Sequence, residues 1–67
     1  MIDIQLNGEP ATLPGEFSVE DLLARMQLTG QRLAVEVNRE IVPRSLHAGH
    51  KLHTGDQVEI VQAIGGG

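Results

Sequence analysis

Apolar and polar residues alternate through Ile2-Asp3-Ile4-Gln5-Leu6, the period of a strand with one buried face. Asn7-Gly8 follows, and both residue types tolerate the positive φ of a tight hairpin turn. Ala11 to Leu13 then reads as the returning strand, with Pro10 acceptable only at a strand end or on a sheet edge. Pro14-Gly15 breaks it. From Ser18 the period changes. Val19, Leu22, Leu23 and Met26 fall at i, i+3, i+4 and i+7, the apolar stripe of a helix, while Glu20, Asp21 and Arg25 lie off it. Ser18 is the expected N-cap, and Asp21, at the third helical position, can reach back to it. Phe17 before the cap and Leu22 within the helix have the spacing of a hydrophobic staple. Gly30 is the expected stop.

Strict alternation returns in Leu33, Val35 and Val37, a third strand. Asn38-Arg39 suits a tight turn into a short strand at Glu40 to Val42, ended by Pro43. Residues 44–56 read mostly as loop, with one short strand near Leu52 and a turn at Gly55-Asp56. Val58 and Ile60 share a parity in the last strand. One amphipathic helix must cover one face of one sheet, because neither buries its apolar side alone. The fold class is therefore α+β: a mixed sheet of four to five strands with one main helix packed on one face. The first and last strands alternate cleanly and have no interior Pro or Gly, which makes them candidates for the sheet centre. Residues 1–62 form the domain, and residues 63–67 a flexible C-terminal tail.

With 67 residues, a single domain is expected. A chain this short buries only about 60% of its unfolded surface, which leaves little room for an enclosed catalytic pocket. The formal net charge of −4 argues against a duplex nucleic-acid binder, which must neutralise phosphates. Phe17 is the only aromatic residue, so no base-stacking platform is available. An acidic surface suits a basic protein partner. There is no cysteine, hence no thiolate metal site and no redox or nucleophilic thiol. No apolar run approaches a membrane span, and the N-terminus lacks the features of a signal peptide. A cytoplasmic protein, monomeric when free and without membrane or nucleic-acid partners, is the expectation.

Three histidines, His47, His50 and His53, recur at a spacing of three. On a strand His50 would face away from the other two, and on a helix Gly49 would interrupt them. A solvated loop is the favoured reading over a metal site. Glu16, Glu20 and Asp21 cluster at the helix start, where negative charge opposes the macrodipole, so they are not read as an acid–base pair. Ser18 is read as a cap and not a nucleophile. No catalytic residue and no metal site are assigned.

The end of the chain carries the chemistry. Val61 has the opposite parity to Val58 and Ile60, so it points to the sheet's open face. With Ile64, it is a candidate partner contact. Gly65, Gly66 and Gly67 cannot be a phosphate loop, because no Lys, Ser or helix follows. A linker remnant or simple terminal disorder remains open. Alternatively, the terminus is the working group. Ala63 to Gly67 can extend about 17 Å. Side-chain-free residues can thread a narrow channel, and the last carbonyl is unhindered. A carboxylate is a poor electrophile, so activation as an acyl-adenylate would fall to a partner enzyme.

Taken together, Leu6-Asn7-Gly8-Glu9, Asp21-Leu22-Leu23, Val35-Glu36-Val37-Asn38, Ile41-Val42-Pro43-Arg44, Leu52 with Gly55-Asp56, Val58-Glu59-Ile60 and the terminal glycines resemble the ThiS family. These are sulfur carriers of thiamine (thiazole) biosynthesis. The resemblance implies a β-grasp, ubiquitin-like fold. It also implies that an E1-like adenylyltransferase activates Gly67 with ATP and Mg, and that no cofactor is bound by the carrier. Sulfur, drawn from cysteine through a desulfurase, then gives a C-terminal thiocarboxylate that donates to thiazole synthase. Two alternatives stand beside it: the small-subunit sulfur carrier of molybdopterin synthase, and a β-grasp interaction module with incidental glycines. The chain departs from the family where members often carry an aromatic after the Arg-Ser segment, since Leu46-His47 stands there.

Overall fold

A computed structural model of the chain describes residues 1–62. The elements run β1 (Ile2–Leu6), β2 (Glu9–Leu13), α1 (Val19–Arg25), β3 (Leu33–Val37), β4 (Glu40–Ile41), a 3-10 turn at Arg44–Leu46, and β5 (Gln57–Gln62). They form one mixed sheet in the order β2-β1-β5-β3-β4. β1 and β5 pair in parallel, through Gln5 with Gln57 and Leu6 with Val58, and the other neighbours are antiparallel. The last strand takes the middle position and the first lies beside it, as their uninterrupted alternation suggests. The five strands complete the four to five expected, and the second strand starts earlier than Ala11, at Glu9. Pro10 falls on edge strand β2, where its missing N–H costs no ladder bond.

The core lies between α1 and one sheet face. Val19, Leu22 and Leu23 from the helix pack with Ile4, Leu13, Val35, Val37, Val58 and Ile60 from the strands, and Val42 and Leu52 close its rim. Every strand residue in that set has the parity the alternation assigns to the core. The capping box is complete: the Asp21 N–H donates to Ser18 Oγ at 3.0 Å, and the Ser18 N–H donates to Asp21 Oδ2 at 3.0 Å. Phe17 is half-buried against the core, as a residue before the cap should be, and Arg25 lies 6.0 Å from its ring centre.

The helix stops before Gly30. Gln27 takes the left-handed conformation (φ +61°) one residue past the cap at Met26. The Leu28 N–H donates to the Leu23 carbonyl at 2.8 Å, and the Gln27 N–H to that of Ala24 at 3.0 Å. This is a Schellman closure built on glutamine, with Leu28 and Leu23 as its apolar pair. Gly30 sits instead in the following turn at φ +84°. Nothing in Gln27 advertises a left-handed position, so the sequence points to the glycine.

The two hairpin asparagines do more than turn the chain. Asn7 and Asn38 both have positive φ, as expected. Beyond Leu6 the central strand β5 outruns β1, and Ile60 loses a strand partner on that side. The Asn7 side chain replaces it, accepting from the Ile60 N–H at 2.8 Å. On the far end, Asn38 accepts from the Gln57 N–H and donates to Asp56 Oδ1, both at 3.0 Å. The Asn38 turn thus anchors the start of β5, and the Asn7 turn its middle, at Val58 and Ile60.

The segment after Pro43 is more ordered than the loop expected. It makes the 3-10 turn, and then straps the start of α1. The carbonyls of His50 and His47 accept from the N–H groups of Val19 and Glu20, at 2.9 and 3.1 Å. Two of the four amides that a helix N-terminus leaves unpaired are satisfied this way. The short strand near Leu52 is a single antiparallel bridge between Lys51 and Ser18, flanked by a bond from the Leu52 N–H to the Phe17 carbonyl.

Candidate functional site: the open sheet face and the end of the central strand

Because α1 covers one face, residues of the other parity are left outside. On β5 these are Gln57, Glu59 and Val61. On β3 they are Ala34 and Glu36, and on β4 Ile41. Val61 keeps 61% of its surface and Ile41 68%. The register sets Ala34 opposite Val61, and Glu36 opposite both Glu59 and Ile41. A small apolar patch therefore surrounds two carboxylates held face to face. Directly opposed like charges oppose sheet formation. None of the residues in the five strands is Lys, Arg or His, so no strand cation offsets them. This face is acidic with apolar islands, suited to a partner that is basic with apolar islands of its own.

Val61 thus stands where its parity placed it. The other tail positions, Ile64, Gly65, Gly66 and Gly67, lie outside the described residues. Ile41 was missed as a face residue. Its strand was read from the sequence, but the pairing with Glu36 that turns it outward depends on the β3–β4 hairpin closing at Asn38-Arg39. Glu36 and Glu59 were each placed on a strand, yet their direct opposition follows from the register of β3 with β5.

The histidines separate. His47 is buried, with 7% of its surface exposed, and its Nε2 lies 3.0 Å from the Val42 carbonyl. This corrects the solvated-loop reading. The imidazole fills the corner where the chain leaves β4, the position of the sequence departure at Leu46-His47. His50 is half-buried and its carbonyl serves the helix, while His53 is exposed. Among the described residues no three His, Cys, Asp or Glu side chains converge as metal ligands.

At the helix start the Asp21 carboxyl accepts from the backbone of its own cap. The Ser18 backbone N–H holds it below the usual carboxylate range, helped by the Ser18 hydroxyl and, less, by Lys51. It stays ionised at neutral pH as a capping group, the role its position suggests. Ser18 itself is buried and committed to the cap. No described helix is long and apolar enough to cross a membrane.

A five-stranded mixed sheet in the order β2-β1-β5-β3-β4, with one helix packed across one face, is the β-grasp, ubiquitin-like architecture. The ThiS family model matches residues 4–67, almost the whole chain. The chain is 36% identical over 66 residues to the sulfur carrier protein ThiS of Escherichia coli, covering 98% of this chain and 100% of that one. It is 42% identical over 62 residues to a thiazole synthase of Paramagnetospirillum magneticum. That match covers 92% of this chain but only 19% of the relative's length. The crystal structure of the thiamine biosynthesis protein ThiS from Geobacter metallireducens superposes with a TM-score of 0.84 at 28% identity, covering 98% of this chain and 100% of that one. The chain belongs to the ThiS family. It is a small sulfur carrier of thiamine biosynthesis and not itself a catalyst.

Proposed function

We propose that the chain carries sulfur on the C-terminal carboxylate of Gly67. The full-length match to a ThiS sulfur carrier, within a family match that runs to residue 67, is the observation that carries this reading. An E1-like adenylyltransferase joins the Gly67 carboxylate to the α-phosphate of ATP, with Mg, and pyrophosphate leaves. A partner's persulfide carrying sulfur from cysteine then attacks the acyl-adenylate and AMP leaves, and a second thiol cleaves the resulting acyl disulfide, giving the thiocarboxylate and a disulfide between the two thiols. Thiazole synthase takes that sulfur, and an oxygen from the acceptor's carbonyl or from water returns the carboxylate. Gly65 and Gly66 have no side chains to obstruct entry of the terminus into these enzymes. Val61 and Ile64 contact the partner beside it. The chain contains no cysteine, so it cannot hold sulfur as a side-chain persulfide, and the terminal carbonyl is the natural place for it.

Thiazole synthase as the recipient is supported by the occurrence of a similar segment within a protein of that name. We take the cytoplasm, where ATP is available, as the site of the cycle. The domain's share of the work is to fold stably without catalytic groups and to present its acidic face to docking enzymes.

Intact-mass measurement tests the reading. After incubation with an E1-like partner, ATP, Mg and a sulfur donor, the protein should gain the mass difference of one sulfur for one oxygen, located at Gly67. Deleting Gly67 should abolish the gain and leave the thermal transition unchanged. An unchanged mass under conditions that load another ThiS protein would refute it.

A further inference from the structure

The sheet has a second unpartnered feature, at the edge of β3. β4 pairs with β3 only at Val37 and Glu36. The Val42 N–H makes one more bond, to the Val35 carbonyl at 2.9 Å, and then the chain turns away into the 3-10 turn. In an antiparallel ladder alternate residues face the same side. The Asn38 N–H donates to Gln57 on β5, so Asn38, Glu36 and Ala34 face β5, while Val35 and Leu33 face outward. Among the described residues, no strand runs beside the N–H and C=O of Leu33. A free edge of this kind is a template for adding a strand.

The free edge opens into a groove of about 620 Å³. Leu23 and Leu28 line it from the helix side, and Val61 from the open face. Arg32 and Arg44 stand along it. Among its described lining residues Glu20 is the one acid. In a chain with nine acidic and five basic residues, two guanidiniums against one carboxylate reverse the local sign. An acidic ligand repelled by the open face finds its cations here.

We propose that this groove takes an extended acidic segment of a partner protein, added as a short strand to the β3 edge at Leu33. The segment continues the row that β4 vacates. Its backbone bonds the Leu33 N–H and C=O, its apolar side chains rest on Leu23 and Leu28, and its carboxylates meet Arg32 and Arg44. Backbone pairing supplies affinity and the side-chain positions supply selectivity. Val61 borders both this groove and the open face, so an occupant is held beside the end of β5. The groove is a second docking point, which meets the acidic face at Val61.

The test uses ¹⁵N-labelled protein and a short capped peptide alternating Glu and Val. Amide shifts should centre on Arg32, Leu33 and Val35, with slowed hydrogen exchange at Leu33. The variant R32E/R44E should weaken binding about tenfold, a magnitude consistent with losing and reversing two exposed ion pairs. It should also bind a Lys-Val peptide in place of the Glu-Val one. N-methylating one alternate set of peptide amides should abolish binding, and methylating the other set should not. Shifts centred on Glu36, Glu59 and Ile41, equal affinity for both peptides in the unmodified protein, or no shifts at all would overturn the proposal. So would a concentration-dependent dimer that R32E/R44E dissolves, since a second copy would then own the groove. Loading of Gly67 is read separately by mass, so failure of one reading leaves the other intact.

Discussion

Replacing Glu59 by Lys should stabilise the free domain while weakening its docking. Glu59 lies directly opposite Glu36 on adjacent antiparallel strands, and its side chain is exposed. Charges about 6 Å apart in a water-like dielectric repel by about 0.7 kcal/mol before salt screening. Substitution by Lys removes that repulsion and adds an attraction of similar size. Entropy and screening reduce the sum, so a net gain of about 1 kcal/mol is expected at low ionic strength, near the upper end for cross-strand pairs. For a domain of this size that corresponds to a rise in Tm of about 4–8 °C. Glu59→Gln should give roughly half the gain, since it removes repulsion without adding attraction. The assay is thermal unfolding by circular dichroism at low salt and again at high salt, where the increment should shrink. The same variant should load more slowly in the mass assay, because a basic partner now meets a cation. A Tm unchanged at low salt, or a gain that high salt does not diminish, would refute the electrostatic reasoning. Faster loading would refute the assignment of the acidic face to docking.

Gln27→Gly should stabilise the domain by about 0.5–1 kcal/mol, because the left-handed C′ position strains any L-residue and a glycine relieves it. Chemical denaturation with an unchanged slope would check it. His47→Ala should cost about 2–3 kcal/mol, through the lost bond to the Val42 carbonyl and the vacated corner; loss of signal dispersion at Val42 would accompany it in NMR spectra. Asp21→Asn should flatten the acid limb of stability. The folded carboxyl titrates below its unfolded value, so its contribution is complete above the ordinary aspartate range and disappears as pH falls through the lower folded value. Melting temperature against pH should therefore fall less steeply for the variant in that window than for the unmodified protein.

Strand alternation, the helical stripe and the capping box were legible from residues alone because each depends on neighbours a few positions apart. Ile2, Ile4 and Leu6 alternate whether or not β5 is known. Ser18 and Asp21 cap each other within one turn. The orientation of Val61 also follows from parity, since a strand has only two faces. Even the central place of β5 could be anticipated, because a strand covered on both edges cannot carry the proline that β2 accepts.

What needed the tertiary structure is everything set by residues distant in sequence. Glu36 and Glu59 are unremarkable singly, and become an opposed pair only through the β3–β5 register. Asn7 looks like a turn residue, but its second role appears where β5 outruns β1 and leaves the Ile60 amide unpaired. His47 reads as loop until the 3-10 turn folds it against Val42, and Gln27 replaces Gly30 as the helix stop because the core pairing of Leu28 with Leu23 outweighs a local backbone preference. The groove beside β3 exists because β4 is too short to cover its neighbour, a mismatch in strand length that no local pattern records. The terminal glycines, by contrast, are legible in the residues themselves, and it is the likeness to the ThiS family, not composition alone, on which the proposal of Gly67 as the sulfur-bearing end rests.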